Sequence, residues 1–213
     1  MNLPAAPWPF GALRMMAYGA MLADPPWQYE MYGEGGYEKS PEAHYDTMSD
    51  DEIAALPVHL LASGDCLLFM WAIWPKLPSA LRVMAAWGFT YKTGGSWTKL
   101  TRHGKRAFGT GYILRSTTEP WLIGTIGNPK IGSRSERNLI EAVRGEHSEK
   151  PVEAREKLLR LRPDCFAAEL FAVDPWPGHD TWGRPHRGAH AVPRIAPPVP
   201  PASEAQPSLF LAP

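Results

Sequence analysis

The residues whose types and spacing carry the most chemistry are Asp24-Pro25-Pro26-Trp27. They close a short apolar run, Ala17 to Ala23, that reads as a buried strand ending at Asp24. An acidic residue, two prolines and a large aromatic at a strand's carboxyl end make a rigid shelf. The shelf presents a carboxylate and backbone carbonyls beside a flat ring, a set suited to gripping the exocyclic amino group of a flipped nucleobase. Asp24 would accept one hydrogen bond from that amino group and the Pro25 carbonyl a second. An aromatic amine is a poor nucleophile because its lone pair is delocalised into the ring. Two fixed acceptors favour localisation of the pair toward an incoming electrophile, which is transition-state stabilisation by preorganised dipoles. The prolines fix φ, so the carbonyls hold position without an ordering cost. Trp27 would stack on the base, a contact worth ~1–3 kcal/mol. The alternative reading of these four residues is a turn leading into a helix, with Trp27 in the core.

Four weaker patterns follow. Gly109-Thr110-Gly111-Tyr112 leads through Arg115 to Glu119, where the glycines allow close backbone approach and Arg115 with Glu119 would fix a loop over a ligand. A surface turn with a solvated ion pair accounts for it more simply. His147-Ser148-Glu149-Lys150-Pro151 is a polar approach to a helix start, where backbone N–H groups favour an anion and Lys150 adds a point charge for a carboxylate or phosphate. Capping by Ser148 explains that block equally well. Glu169-Leu170-Phe171-Ala172 is a strand end, followed by the polar turn Gly178 to Gly183, where an adenosine-containing cofactor would lie without any GxGxxG. Lys99, Arg102, His103, Lys105 and Arg106 form a basic cluster that suits phosphates or a solvated loop.

Strand and helix signals alternate around these patterns. Ser49 with Glu52 forms a capping box that starts a short helix through Leu56. Cys66 to Trp71 is a continuous apolar run and reads as a buried strand. Pro78 to Trp87 reads as a helix ended by Gly88, and Phe89 to Trp97 and Glu119 to Ile126 read as strands. Pro151 opens a helix through Leu161 with Leu158 and Leu159 inward, and Phe166 to Val173 is a last buried strand. The alternation predicts a three-layer α/β sheet with its site at the carboxyl ends of strands.

Composition narrows the classes. The chain has 213 residues, with 22 Lys plus Arg balancing 22 Asp plus Glu, so no global basic field announces non-specific coating of nucleic acid. The two cysteines, Cys66 and Cys165, lie in separate apolar runs without metal-ligand spacing, which predicts buried thiols and no metal. No apolar stretch approaches about 18 residues and no secretory signal is evident, so the expectation is a soluble cytoplasmic protein with no membrane contact. The expected organisation is a flexible leader over 1–16, one domain over 17–185, and a disordered Pro/Ala-rich tail over 186–213.

Taken together, Asp24-Pro25-Pro26-Trp27, His44-Tyr45-Asp46-Thr47-Met48-Ser49, Gly109 to Arg115, His147 to Pro151 and Glu169 to Ala172 resemble the MT-A70 family of adenine-N(6) methyltransferases, in that family's order. The resemblance implies a Rossmann-like methyltransferase fold of permuted motif order, with S-adenosylmethionine (SAM) as methyl donor and nucleic acid as substrate. It makes Asp24, Pro25, Pro26 and Trp27 catalytic. It places Asp24, Pro25, Lys150, Glu169, Phe171 and Gly183 on the cofactor side, and Gln28 to Tyr45 and Ile131 to His147 as gate loops. The substrate side is expected to comprise Trp27, Tyr29, His44, Tyr45, Lys105, Arg106 and Arg115.

Two departures fall in the cofactor half. The family commonly has an arginine directly after the Glu-Leu-Phe-Ala strand, where this chain has Val173, and its closing Trp-Gly is followed here by Arg184 and Pro185. They support a rival reading as a catalytically silent nucleic-acid-binding or scaffold subunit; the intact shelf argues against it. A second rival methylates a cytosine amino group. DNA is preferred over RNA because the short form resembles bacterial and phage members, and selectivity would come from loops, a partner subunit or a homodimer.

Overall fold

Six consecutive buried residues, Tyr18–Ala23, form β1, the strand around which the sheet is organised. The computed structural model of the chain describes residues 8–28, 47–109, 111, 113–145 and 149–183. In chain order the other elements are α1 (Asp50–Ala54), β2 (Ala62–Trp71), α2 (Leu77–Ala86), β3 (Thr90–Leu100), β4 (Thr118–Ile126), β5 (Leu139–Val143), α3 (Val152–Leu161), β6 (Ala167–Leu170) and β7 (Asp180–Trp182). The seven strands form one sheet in the order β5-β3-β4-β2-β1-β6-β7. β1 runs parallel to β2 and to β6, β6 parallel to β7, and β3 parallel to β5. β4 alone runs against its neighbours, β2 and β3.

Side-chain alternation along β1 and β2 builds the layers. Met21, Ala23, Cys66, Leu68 and Met70 point to one face, where Ile53 of α1 and Val83 and Met84 of α2 close the core. Ala20, Leu22, Leu67, Phe69 and Trp71 point to the other, against Ala154 and Leu158 of α3. The three-layer α/β architecture expected from the sequence is therefore the observed one. Helices on opposite faces also mean that the chain leaves β1 toward one neighbour and returns to its other side at β6. The crevice between the carboxyl ends of β1 and β6 is a topological switch point, where open α/β sheets hold ligands.

Local chemistry explains the element ends. Ser49 Oγ accepts the Glu52 backbone N–H at 3.2 Å while the Glu52 carboxylate accepts the Ser49 N–H at 2.8 Å, completing the capping box of α1. Gly88, at φ +81°, turns the chain out of α2. Two strands are absent from the sequence reading. β5 alternates exposed and buried, with only Ile140 and Ala142 inward, and lies in a polar stretch that reads as loop. β7 has three residues and gains its place by pairing with β6.

The expectation of a flexible leader through residue 16 is corrected from residue 8 onward. Phe10 is fully buried, packs edge-on against Trp182 at 5.1 Å, and the Trp182 indole N–H donates to the Pro9 carbonyl at 3.0 Å. Arg14 pairs with Asp180 at 3.2 Å. Aromatic burial ties this segment to the β7 edge. Of the two thiols, Cys66 is buried but Cys165 is only half-buried, and both are free. No helix among the described residues is long and apolar enough to cross a membrane.

Candidate active site

Because β1, β2, β3, β5, β6 and β7 run one way and β4 the other, one edge of the sheet collects six carboxyl ends and the start of β4. Asp24 follows β1 on that edge, Lys99 lies near the end of β3, Glu119 near the start of β4, Lys150 lies between β5 and α3, and Glu169 sits near the end of β6. A cleft of about 410 Å³ opens there, lined by Asp24, Lys150, Arg155, Glu169, Phe171 and Val173 among others. That volume lies in the range of small-molecule sites. Its wall carries five carboxylates, Asp24, Glu149, Glu153, Glu169 and Asp174, against the two cations Lys150 and Arg155.

The shelf is held by its backbone. The Asp24 N–H donates to the Leu170 carbonyl at 3.3 Å, tying it to β6. The Pro25 carbonyl accepts the Trp27 N–H at 2.8 Å, and the Pro26 carbonyl accepts the Met48 N–H at 3.0 Å. A carbonyl oxygen has two lone pairs, so Pro25 keeps one for a further donor. Trp27 departs from the expected stacking platform: it is 5 % exposed, and its indole N–H donates to the Trp71 carbonyl at 3.3 Å. The ring is a core anchor for the shelf, as the alternative reading of the four residues had it.

The side chains of Asp24, Lys150, Glu119 and Lys99 form a continuous ionic chain. Lys150 Nζ donates to Asp24 Oδ2 at 2.7 Å and lies 3.0 Å from Glu119 Oε1, while Lys99 Nζ lies 2.7 Å from Glu119 Oε2. The chain lies on a tryptophan floor, with Lys150 5.6 Å from the Trp71 ring centroid and Lys99 5.1 Å from that of Trp97. Burial pushes the Asp24 carboxyl above the usual range, and the Glu119 charge adds to it against the pull of Lys150. Burial acts the same way on Glu119, but Lys150 and Lys99 together hold it below the usual range. For Lys150, burial disfavours the charge and the two carboxylates outweigh it, so the ammonium is held above its ordinary value. Glu119 was read with Arg115; the structure instead commits Arg115 to the Gly109 carbonyl at 2.7 Å and to the Phe108 ring at 4.9 Å.

On the other side of the cleft, Arg155 of α3 grips Glu169, with Nη2 at 2.6 Å and Nε at 2.8 Å from Oε2. Burial first, then the charges of Asp24 and Asp174, push the Glu169 carboxyl up to about 7 although Arg155 pulls it down. Phe171 lines the cleft with φ +61°, a left-handed conformation held by ring contacts to Trp182 at 5.2 Å and Trp87 at 6.4 Å. Gly183 is not among the lining residues. A Cβ there would collide with the Ala172 backbone, so glycine is required for the close approach of the two segments.

The structure thus brings Asp24, Lys150, Glu169 and Phe171 to one cleft. Lys105 and Arg106 are exposed on the tight turn after β3, on the same edge. Tyr29, His44 and Tyr45, together with His147, Ser148 and Arg184, lie outside the described residues. Sequence reasoning missed Glu119 as a partner of Lys150 and Lys99 as the second cation on Glu119, and missed Arg155 altogether. The only signal for the first two was one basic and one acidic residue at facing strand ends.

Comparison with known proteins gives a consistent result. Residues 18–185 match the MT-A70 family. A type II methyltransferase, M.MunI, from Mycoplasma sp is 32% identical over 195 residues, 82% of this chain and 80% of that protein. An N(6)-adenosine-methyltransferase MT-A70-like protein of Arabidopsis thaliana is 31% identical over 157 residues, 73% of this chain but only 21% of its own length. The N(6)-adenine-specific methyltransferase METTL4 of Mus musculus is 23% identical over 180 residues, 78% of this chain and 37% of its own length.

Proposed function

The chain belongs to the MT-A70 family, and from that premise we propose that it is a SAM-dependent methyltransferase of the adenine 6-amino group in nucleic acid, acting on DNA. The observation that carries the reading is the 2.7 Å pair between Asp24 and Lys150, 126 positions apart, in the wall of the cleft. It joins the shelf that suits a base amino group to the block that suits an anionic cofactor end.

The cleft fits SAM by the chemistry of its wall. An excess of carboxylates suits a sulfonium and an ammonium, Lys150 suits a carboxylate, Glu169 suits a ribose diol, and Phe171 and Val173 give apolar contact. Bound there, SAM supplies an electrophilic methyl group. Asp24, with about four acceptor sites on its carboxylate, retains capacity beside Lys150 for the adenine amino group. The free lone pair of the Pro25 carbonyl takes a second amino hydrogen, so that the nitrogen lone pair is localised out of the ring plane. The raised Asp24 carboxyl is suited to take the proton that the amine loses after transfer. Trp27 and Met48 hold the shelf in place.

DNA is favoured by extent. The chain spans 80% of the Mycoplasma type II methyltransferase but about a fifth of the plant relative, whose name specifies adenosine, a ribonucleoside. Sequence selectivity then rests on the loops around the cleft or on a second subunit, and the two free thiols fit a cytoplasmic location.

The test is transfer of tritium from labelled SAM to matched adenine-containing DNA and RNA oligonucleotides, single- and double-stranded, beside Asp24→Asn. Label on adenine in DNA, reduced by about 10²-fold or more in the variant, is expected. Label on RNA alone would overturn the DNA assignment. No label together with no SAM binding would establish the silent-subunit reading.

A further inference from the structure

Val173 occupies the position after Ala172 where the family pattern commonly has an arginine, yet a guanidinium reaches this part of the cleft from another element. Arg155 lies in the first half of α3, and its side chain contacts both β6 and the loop that follows it. Nε and Nη2 hold Glu169 Oε2 at 2.8 and 2.6 Å, Nη2 donates to the Asp174 carbonyl at 3.1 Å, and Nη1 to the Pro175 carbonyl at 3.5 Å. The guanidinium carbon sits 5.6 Å from the Trp176 ring centroid. Arg155, Glu169, Val173 and Asp174 all line the cleft.

We propose that Arg155 is the positioning residue of the cofactor side, taking from α3 the role of the arginine that is absent at 173. It favours ionisation of the Glu169 carboxyl near neutral pH and orients it in the cleft wall for a ribose diol, and it fixes the Asp174-Pro175 backbone beside that diol. The inference rests on the SAM reading above.

The charges around Glu169 explain why a cation is needed there. Asp24 from the end of β1 and Asp174 from the loop after β6 both act against its ionisation, as does burial. β7 sets Thr181 beside it in the sheet, and Lys150 and Glu153 share the cleft wall. His179 packs on Trp176 at 4.3 Å, on the ring that Arg155 covers. Arg155 is the cation that opposes these contributions directly. A protonated Glu169 would lose the bidentate acceptor geometry that two vicinal hydroxyls require.

The test is calorimetric SAM binding to the whole chain, wild type, Arg155→Gln, Arg155→Lys and the double variant Arg155→Gln with Val173→Arg, between about pH 6 and 9. Removing an adjacent cation raises a carboxyl by about 1–3 units, so Arg155→Gln is expected to weaken SAM about tenfold or more at pH 7. The deficit should shrink toward high pH, where Glu169 ionises again. Arg155→Lys, which keeps the charge and loses the fork, should retain the wild-type pH profile at reduced affinity, and Val173→Arg should restore binding to the Gln variant. Wild-type affinity in Arg155→Gln, or a loss equal at every pH that Val173→Arg does not relieve, would overturn the proposal. Failure of the wild type itself to bind SAM would overturn instead the reading on which it rests.

Discussion

Lys150 Nζ lies 3.0 Å from Glu119 Oε1 while it donates to Asp24 at 2.7 Å, so one ammonium is shared between two carboxylates at the sheet edge. The sharing follows from strand direction. β4 is the strand that runs against its neighbours, so its first residues lie beside the carboxyl ends of β2 and β3, on the edge where Asp24 follows β1. Lys99 then closes the chain on the far oxygen of Glu119 at 2.7 Å. Two carboxylates and two lysines balance within the network, which keeps Asp24 available as an acceptor despite its burial.

Lys150→Met should remove the shared cation and leave two buried carboxylates, at a cost of about 3 kcal/mol or more near neutral pH. The sign of the pH dependence is fixed by the groups left behind. Asp24 already has a raised carboxyl, and without Lys150 its folded value rises further. A raised acid destabilises the fold increasingly as pH rises through that value. Urea unfolding at pH 5 and pH 8 should therefore show a larger deficit against wild type at pH 8. An equal deficit at both would mean that the lysine contributes packing rather than charge.

Trp27→Ala should be a stability variant, losing about 3–5 kcal/mol by cavity formation in the core. Trp27→Phe should lose about 1 kcal/mol, the net value of the bond to the Trp71 carbonyl. SAM affinity of the folded Phe variant should stay within about twofold of wild type, since the ring faces the core rather than the cleft. Full stability of Trp27→Phe combined with loss of nucleic-acid turnover would return Trp27 to the substrate side.

Lys105→Gln with Arg106→Gln should weaken nucleic-acid binding without altering SAM affinity. Both residues are exposed on the turn after β3, and neither belongs to the ionic chain that engages Lys99. Each duplex phosphate contact contributes about 0.9 to the slope of log K against log salt, so the slope should flatten by up to about 2. An unchanged slope would assign the cluster to solvation.

Much of the site was legible in the sequence because its chemistry is local. The run Ala17 to Ala23 ending in Asp24-Pro25-Pro26-Trp27 announces a buried strand and a rigid shelf whatever surrounds it, and β1 with Asp24 at its end is the result. The capping box at Ser49 and the apolar run through Trp71 are equally local, since periodicity and cap chemistry act within a few residues. Blocks in family order added Lys150 and Glu169 to the same cleft. What the tertiary structure decided is which charges face one another. Arg115 and Glu119 are four apart and look like a pair, yet the direction of β4 turns Glu119 to Lys150 and Lys99 while Arg115 folds onto Gly109. Trp27 was assignable to a ligand or to the core until the Trp71 carbonyl was found beside its indole N–H. Arg155 carries no signal in its own helix, because its meaning lies in the strand and loop that α3 covers on the far side of the switch point. Side-chain type is a property of the chain, whereas the partner of a charge depends on strand order and direction, which no short window of residues encodes.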